Sequence, residues 1–268
     1  MVLVATLLLD SHPTTMSDLS PSEGADFHSA PSSIPPIKPA SRWEDFVDIF
    51  YAPASVFERR ATSGFGIPML VVTVLLGLIF IANSGVMQPI MDAEFTRGTA
   101  AAMKKSPQIT PEMMAKTREM TEKFTKVGVF IFTPIIIFCV GFILWVVGKL
   151  VEAKQTFSAA VMVAAYAFVP KVVESVVAGV QGLLLDPATL NGRYKISLGV
   201  GRFLDPDAAS PMLLALVGRM DVFTIWVTVL LAIGLSATGN IPRRKAIIAG
   251  VLMWIIGALP GVFGALRS

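Results

Sequence analysis

Five apolar blocks decide what this chain can fold into: Ile67 to Ser84, Val127 to Gly148, Phe157 to Val180, Val222 to Gly239, and Ala246 to Leu266. About 20 residues of α-helix cross a hydrocarbon core ~30 Å thick. In lipid the backbone must satisfy its own hydrogen bonds, which an α-helix does within one segment. The expected fold is therefore all-α: a polytopic membrane bundle of about five transmembrane helices. Composition agrees, with 54% hydrophobic and 15% charged residues, against about 25% charged in ordinary soluble domains. A net charge of +3 gives no reason to expect a nucleic-acid partner, and one cysteine, Cys139, allows neither a disulfide within the chain nor a cysteine metal site. The lipid bilayer is the expected partner, and no cofactor is expected.

The segments around the blocks carry their own signals. Of the N-terminal tail, residues 1–40, positions 10–40 are rich in Ser, Pro, Asp and Ala, with Pro35 and Pro36 adjacent. Such a composition buries little and reads as a disordered tail. Met1 to Leu9 is apolar but lacks a basic start, and Met16 is an alternative initiator; neither stretch is counted as structure. Both histidines, His12 and His28, fall in the tail and read as solvated. Residues 41–66 read as juxtamembrane helices. Ser41 and Glu44 have capping-box spacing, and Trp43, Phe46, Val47, Phe50 and Tyr51 recur at helical intervals before Pro53. That stripe suits a helix lying along the membrane surface, or equally one packed on the chain's own bundle.

The link between the first two blocks, residues 85–126, reads as a helical hairpin outside the bilayer. Thr110, Pro111 and Glu112 make a helix start. Met113, Thr117, Met120, Phe124 and Val127 share one face of the helix that follows, and Glu119 and Lys123 pair at the favourable spacing on another. This helix should run into the second block as one rod. Residues 181–221 are punctuated by Asp186-Pro187, Asn191-Gly192 and Asp205-Pro206 turns. A short helix after Ser210-Pro211 then leads to Asp221, a cap for the fourth block.

Only the third block carries charge. Ala160, Ala164, Ala167, Lys171, Glu174, Ala178 and Gln181 recur at steps of four and three, so they share a small and polar face. Met162, Val169, Val172, Val173, Val176 and Val180 crowd the other side, which suits lipid. Lys171 lies 14 residues from Phe157, or ~21 Å at the helical rise. An unpaired charge there costs at least ~2.5 kcal/mol. Lys171, Glu174 and Gln181 are therefore the candidate polar intramembrane site, and Pro170 should kink the helix. The plainer reading is a structural ion pair near the helix end. Gly257, Gly261 and Gly264 in the fifth block read as a packing face, and Trp145, Trp226 and Trp254 as interfacial or core aromatics. No Walker sequence, HExxH pair, Ser-His-Asp set or acidic metal cluster is present, and no enzymatic activity is expected.

Orientation follows from the short links. Arg59 and Arg60 precede the first block, Lys149 and Lys154 fill the second link, and Arg243, Arg244 and Lys245 fill the fourth. Together they argue for a cytoplasmic N-terminus, against seven Lys and Arg residues on the hairpin link.

In order and spacing these pieces resemble the Yip family, the Ypt/Rab-interacting five-span membrane proteins, and in particular its prokaryotic members. The resemblance covers residues 43–265. It rests on Phe50-Tyr51-Ala52-Pro53-Ala54-Ser55-Val56-Phe57-Glu58; on Gly148 with Thr156-Phe157; on Tyr166-Ala167-Phe168-Val169-Pro170; on Met220-Asp221-Val222-Phe223-Thr224-Ile225-Trp226; and on Gly239 with Lys245-Ala246. It implies a cytoplasmic N-terminal region, five spans, a short C-terminus on the far side and, for this chain, a bacterial cytoplasmic membrane. Eukaryotic members look like adaptors that bind prenylated small GTPases and one another. This chain lacks an Asp-Leu-Tyr-Gly-Pro motif before its spans, which puts small-GTPase binding in doubt. The function implied is a non-enzymatic scaffold or adaptor that engages protein partners or itself. The alternative is a small transporter or channel that uses the Lys171 and Glu174 face.

Overall fold

The computed structural model describes residues 41–105 and 110–267; the tail read as disordered lies outside the described residues. Among the described residues ten α-helices run in chain order. Two short ones come first, α1 (Asp45–Asp48) and α2 (Pro53–Arg60), followed by α3 (Gly66–Asn83), α4 (Gln88–Lys105) and α5 (Pro111–Leu150). Then come α6 (Phe157–Ala167), α7 (Val169–Leu184), α8 (Pro211–Val217), α9 (Val222–Gly239) and α10 (Arg243–Arg267). Among the described residues the strand content is one isolated bridge, Gly199 with Asp221. Five helical stretches among the described residues are long and apolar enough to cross a membrane: α3, α5, α6 with α7, α9 and α10. The fold is an all-α polytopic bundle.

The helix ends follow from their caps. Thr110 Oγ1 accepts from the Met113 amide at 3.3 Å, and α5 then runs 40 residues as one rod from the link through the second span. Ser210 Oγ accepts from the Leu213 amide, and Asp221 Oδ1 from the amides of Phe223 and Thr224. At the other end of α9, Asn240 stops the helix in the left-handed conformation at φ 51°.

The third span is the axis of the bundle. In its best membrane window 56% of residues are buried, against 22% for α3, α5 and α10. The reason lies in α6, whose alanines let neighbours approach closely. A Cβ at Gly141 of α5 would stand 2.6 Å from Val161 Cα, and one at Gly234 of α9 only 2.3 Å from Val163 Cγ1. Small residues at such crossings let helix backbones pack tightly where lipid offers no hydrophobic drive. Every residue from Ala159 to Ala167 is buried. This corrects the lipid-facing assignment of Met162 and Val169, which are 0% and 7% exposed. Val173, Val176 and Val180 in α7 do face outward. The helix breaks at Phe168, two residues before Pro170. Proline has no N–H to offer the Tyr166 carbonyl, and the Lys171 amide turns to Phe168 instead, at 2.9 Å.

The connections sort to two ends. At one end the tight turns meet: the Lys154 amide donates to Gly239 at 2.9 Å, and Lys245 pairs with Glu152. At the other, the two long links meet: Arg97 of α4 pairs with Asp207 at 3.1 Å, and Glu94 accepts from the Arg193 amide at 3.2 Å. This alternation follows from spans running in series, each reversing the direction of the one before.

Candidate functional site

Lys171 and Glu174 are brought together one turn apart on α7, with Lys171 Nζ 2.6 Å from Glu174 Oε2. Both side chains are half-buried, at 28% and 30% exposure. Below them, Ser175 Oγ donates to the Lys171 carbonyl, and Asn83 of α3 donates to the Ser175 carbonyl at 2.9 Å. Gln181 does not join the pair. It sits seven residues on, ~10 Å along the axis, and its Nε2 donates to the Ile196 carbonyl at 2.9 Å, tying the end of α7 to the following link. Pro170 occupies the first turn of α7. The observed geometry is thus a closed ion pair, with Gln181 serving the loop.

The most deeply buried charge lies elsewhere. Asp45, at the start of α1, is 0% exposed. Arg59 Nε donates to its Oδ1 at 2.7 Å, with Arg59 Nη2 at 2.6 Å; Arg60 Nε donates to Oδ2 at 2.5 Å; and Tyr166 donates its hydroxyl to Oδ2 at 3.2 Å. Arg59 also holds Asp48. Burial by itself would lower the Arg59 pKa, but its hydrogen bonds to Asp48 and Asp45 outweigh that and hold it above the ordinary arginine value. Tyr166 stands nine residues into α6, ~14 Å along its axis. The N-terminal helices are therefore clamped well inside the third span rather than only onto the bundle's end.

Sequence reasoning missed this cluster because Asp45 lies 14 and 15 residues from Arg59 and Arg60, on a separate helix, and 121 from Tyr166. One signal was present: Asp45 lies four residues before the fully buried Ile49, on the same helix face. The rest of α1 and α2 shows why both sequence readings of this segment contain part of the structure. Ile49, Val56 and Phe57 are fully buried in the bundle, while Trp43, Val47 and Tyr51 point outward, Tyr51 at 82% exposure.

Three concavities frame these groups. An open groove of about 810 Å³ runs between α2, α9 and α10 and includes Glu58 and Arg243. A slot of about 470 Å³ follows the outer face of α5 from Thr117 to Ile136. A polar cavity of about 220 Å³ lies against Arg42, Arg60, Ser63 and Tyr166. Lys171 and Glu174 line none of these three. Among the described residues no group of three or more His, Cys, Asp or Glu side chains is placed to hold a metal ion.

The hairpin arm of α5 presents its apolar face to solvent. Met113, Met120 and Phe124 are 56%, 50% and 69% exposed. Ion pairs occupy its other faces: Lys123 with Glu119 at 2.7 Å, and Arg118 with Glu122 at 3.2 Å and with Asp92 of α4 at 2.5 Å.

Comparison with known proteins found no match among curated proteins and none among solved structures. The family model described as the Yip1 domain matches residues 47–264, from α1 almost to the end of α10. That match takes in the clamp helices from Val47 onward, all five spans and both long links, so the chain belongs to the Yip1-domain family of membrane proteins.

Proposed function

We propose that this Yip1-domain chain is a non-enzymatic membrane scaffold whose contact surface is the free arm of α5, engaging protein partners and, foremost, a second copy of itself. The observation that carries the reading is the exposed apolar face from Met113 to Phe124, outside the segment expected to lie in lipid. A contiguous exposed apolar face of this kind marks an interaction surface. Its residues are spaced for a helical partner. Met113, Thr117, Met120, Phe124, Val127 and Ile131 follow steps of four, three, four, three and four, the 3.5-residue period of a coiled-coil seam. Two copies inserted in one membrane share one orientation, so their arms would meet in parallel. With the N-terminal region on the cytoplasmic side of a bacterial inner membrane, the arm stands on the outer side.

In this reading Lys171 and Glu174 form a structural pair. A solute path past them has less support, since the pair is closed on itself and lines none of the three concavities. The test is disulfide crosslinking of Phe124→Cys in native membranes. A crosslinked dimer is expected, and lost on Phe124→Cys combined with Met120→Glu; deletion of residues 86–125 should abolish partner capture. Partner capture should survive Lys171→Ala with Glu174→Ala. Loss of capture in that double variant, together with unchanged capture after the deletion, would reject the scaffold reading.

A further inference from the structure

The groove between α2, α9 and α10 has the form of a lipid site, and its polar groups name a head group. It holds about 810 Å³, inside the ~300–1,000 Å³ range of small-molecule sites. Its wall along α9 and the cap that ends it runs from Thr228 to Asn240, or ~18 Å at the helical rise. That is about half of a ~30 Å hydrocarbon core, one leaflet deep. Val229, Ile247 and Val251 line its apolar length and are 47%, 63% and 53% exposed, so it opens toward the surface that meets lipid.

One end is polar. Asn240 and Arg243 stand at the turn between the fourth and fifth spans, and Glu58 of α2 lines the same groove. Among the described residues neither Glu58 nor Arg243 has an ion-pair partner, whereas Arg59, Arg60 and Lys245 nearby are each paired. Two opposite charges left without partners on one groove complement a zwitterion. A guanidinium fork matches phosphate oxygens, and a carboxylate accepts from an ammonium.

We propose that this groove binds one phospholipid with a primary-ammonium head group: its phosphate on Arg243 and Asn240, its amine on Glu58, and an acyl chain along Val229, Ile247 and Val251. The site is independent of the α5 arm. A quaternary ammonium offers Glu58 no N–H, and a glycerol head offers it no positive charge, so the pair ranks phosphatidylethanolamine first.

The test is native mass spectrometry of the full chain, exchanged against equimolar phosphatidylethanolamine, phosphatidylcholine and phosphatidylglycerol. Phosphatidylethanolamine should be retained over phosphatidylglycerol about two- to fivefold, the scale of one exposed ion pair. Glu58→Gln should erase or invert that preference while lipid stays bound. Arg243→Ala should lower retention of every phospholipid with the thermal midpoint unchanged, both residues being exposed. Soluble phosphoethanolamine should not displace the lipid. Preference for phosphatidylglycerol in the unsubstituted chain, or a preference unmoved by Glu58→Gln, would overturn the assignment. Displacement by phosphoethanolamine, or crosslinking of Ile247→Cys to a second copy in place of lipid retention, would do the same.

Discussion

Two charged clusters sit among the span-forming helices, and they are built on opposite terms. Asp45 is fully buried, and both of its carboxylate oxygens are taken, by Arg59, Arg60 and Tyr166. Glu174 is 30% exposed and has one partner, Lys171, from its own helix. A buried ion without partners is strongly destabilising, so the fold completes the set around Asp45 with donors from two elements besides its own. The Lys171–Glu174 pair needs less, because its environment already offers partial relief. Distance along a helix, which singled out Lys171 in the sequence, measures depth in one span only. Burial depends on what other elements bring alongside.

The comparison makes its largest prediction at Asp45. Asp45→Ala would remove the buried carboxylate that both arginines share, leaving Arg59 the partly exposed Asp48, and should cost about 3–5 kcal/mol, read as a lowered unfolding midpoint in detergent. A cost near that of an exposed ion pair would mean that the cluster is hydrated, and the contrast with Glu174 would fail. Tyr166→Phe sharpens the same point on a smaller scale. It removes one donor at 3.2 Å but leaves both arginines in place, so about 1 kcal/mol is expected. The Tyr166 variant should also loosen proteolytic protection of α1 and α2 before it affects the spans.

At the second cluster the expected order reverses. Lys171→Ala with Glu174→Ala together should change stability by less than about 1 kcal/mol, in the range of partly solvated pairs. Lys171→Ala alone should be worse than the double change, because it strands Glu174. A single variant that costs no more than the double would show that the two side chains do not depend on each other. A double variant as damaging as Asp45→Ala would collapse the distinction between the clusters.

Much of the fold was legible because its signals are local. Thr110, Ser210 and Asp221 cap within three residues of themselves, and block length alone gives the five spans. The α5 rod was legible too, since nothing between Thr117 and Val127 breaks a helix. What sequence could not supply was the neighbourhood. Met162 has the bulk of a lipid-facing residue, yet Gly141 and Gly234 on other helices bring backbone close to α6 and enclose it. The Asp45–Tyr166 contact spans 121 positions, and Gln181 turned to Ile196 because the link after α7 folds back over it. Periodicity places a residue on a face; it does not say which element will cover that face.

The mildest test concerns the end where the short turns meet. Glu152 joins Lys245 across the start of α10. Its hydrogen bond to Lys245, followed by the attraction of that charge, holds its carboxyl below the ordinary glutamate value. A depressed carboxyl stabilises the folded state above its unfolded pKa, and the contribution disappears as pH falls through the lower, folded value. The difference in thermal midpoint between the unsubstituted chain and Glu152→Gln should therefore be flat above about pH 5, an ordinary Glu titrating near 4.3. It should then shrink on acidification, and high salt should reduce it because the pair is exposed. Glutamine is the right substitution because residue 152 has a φ of 65°, a left-handed conformation that glycine would relax. Glu152→Gly would mix the gain in backbone ease with the loss of charge. A difference that grew toward low pH would place the stabilising proton on the other state and remove this pair from the account of how the turns are joined.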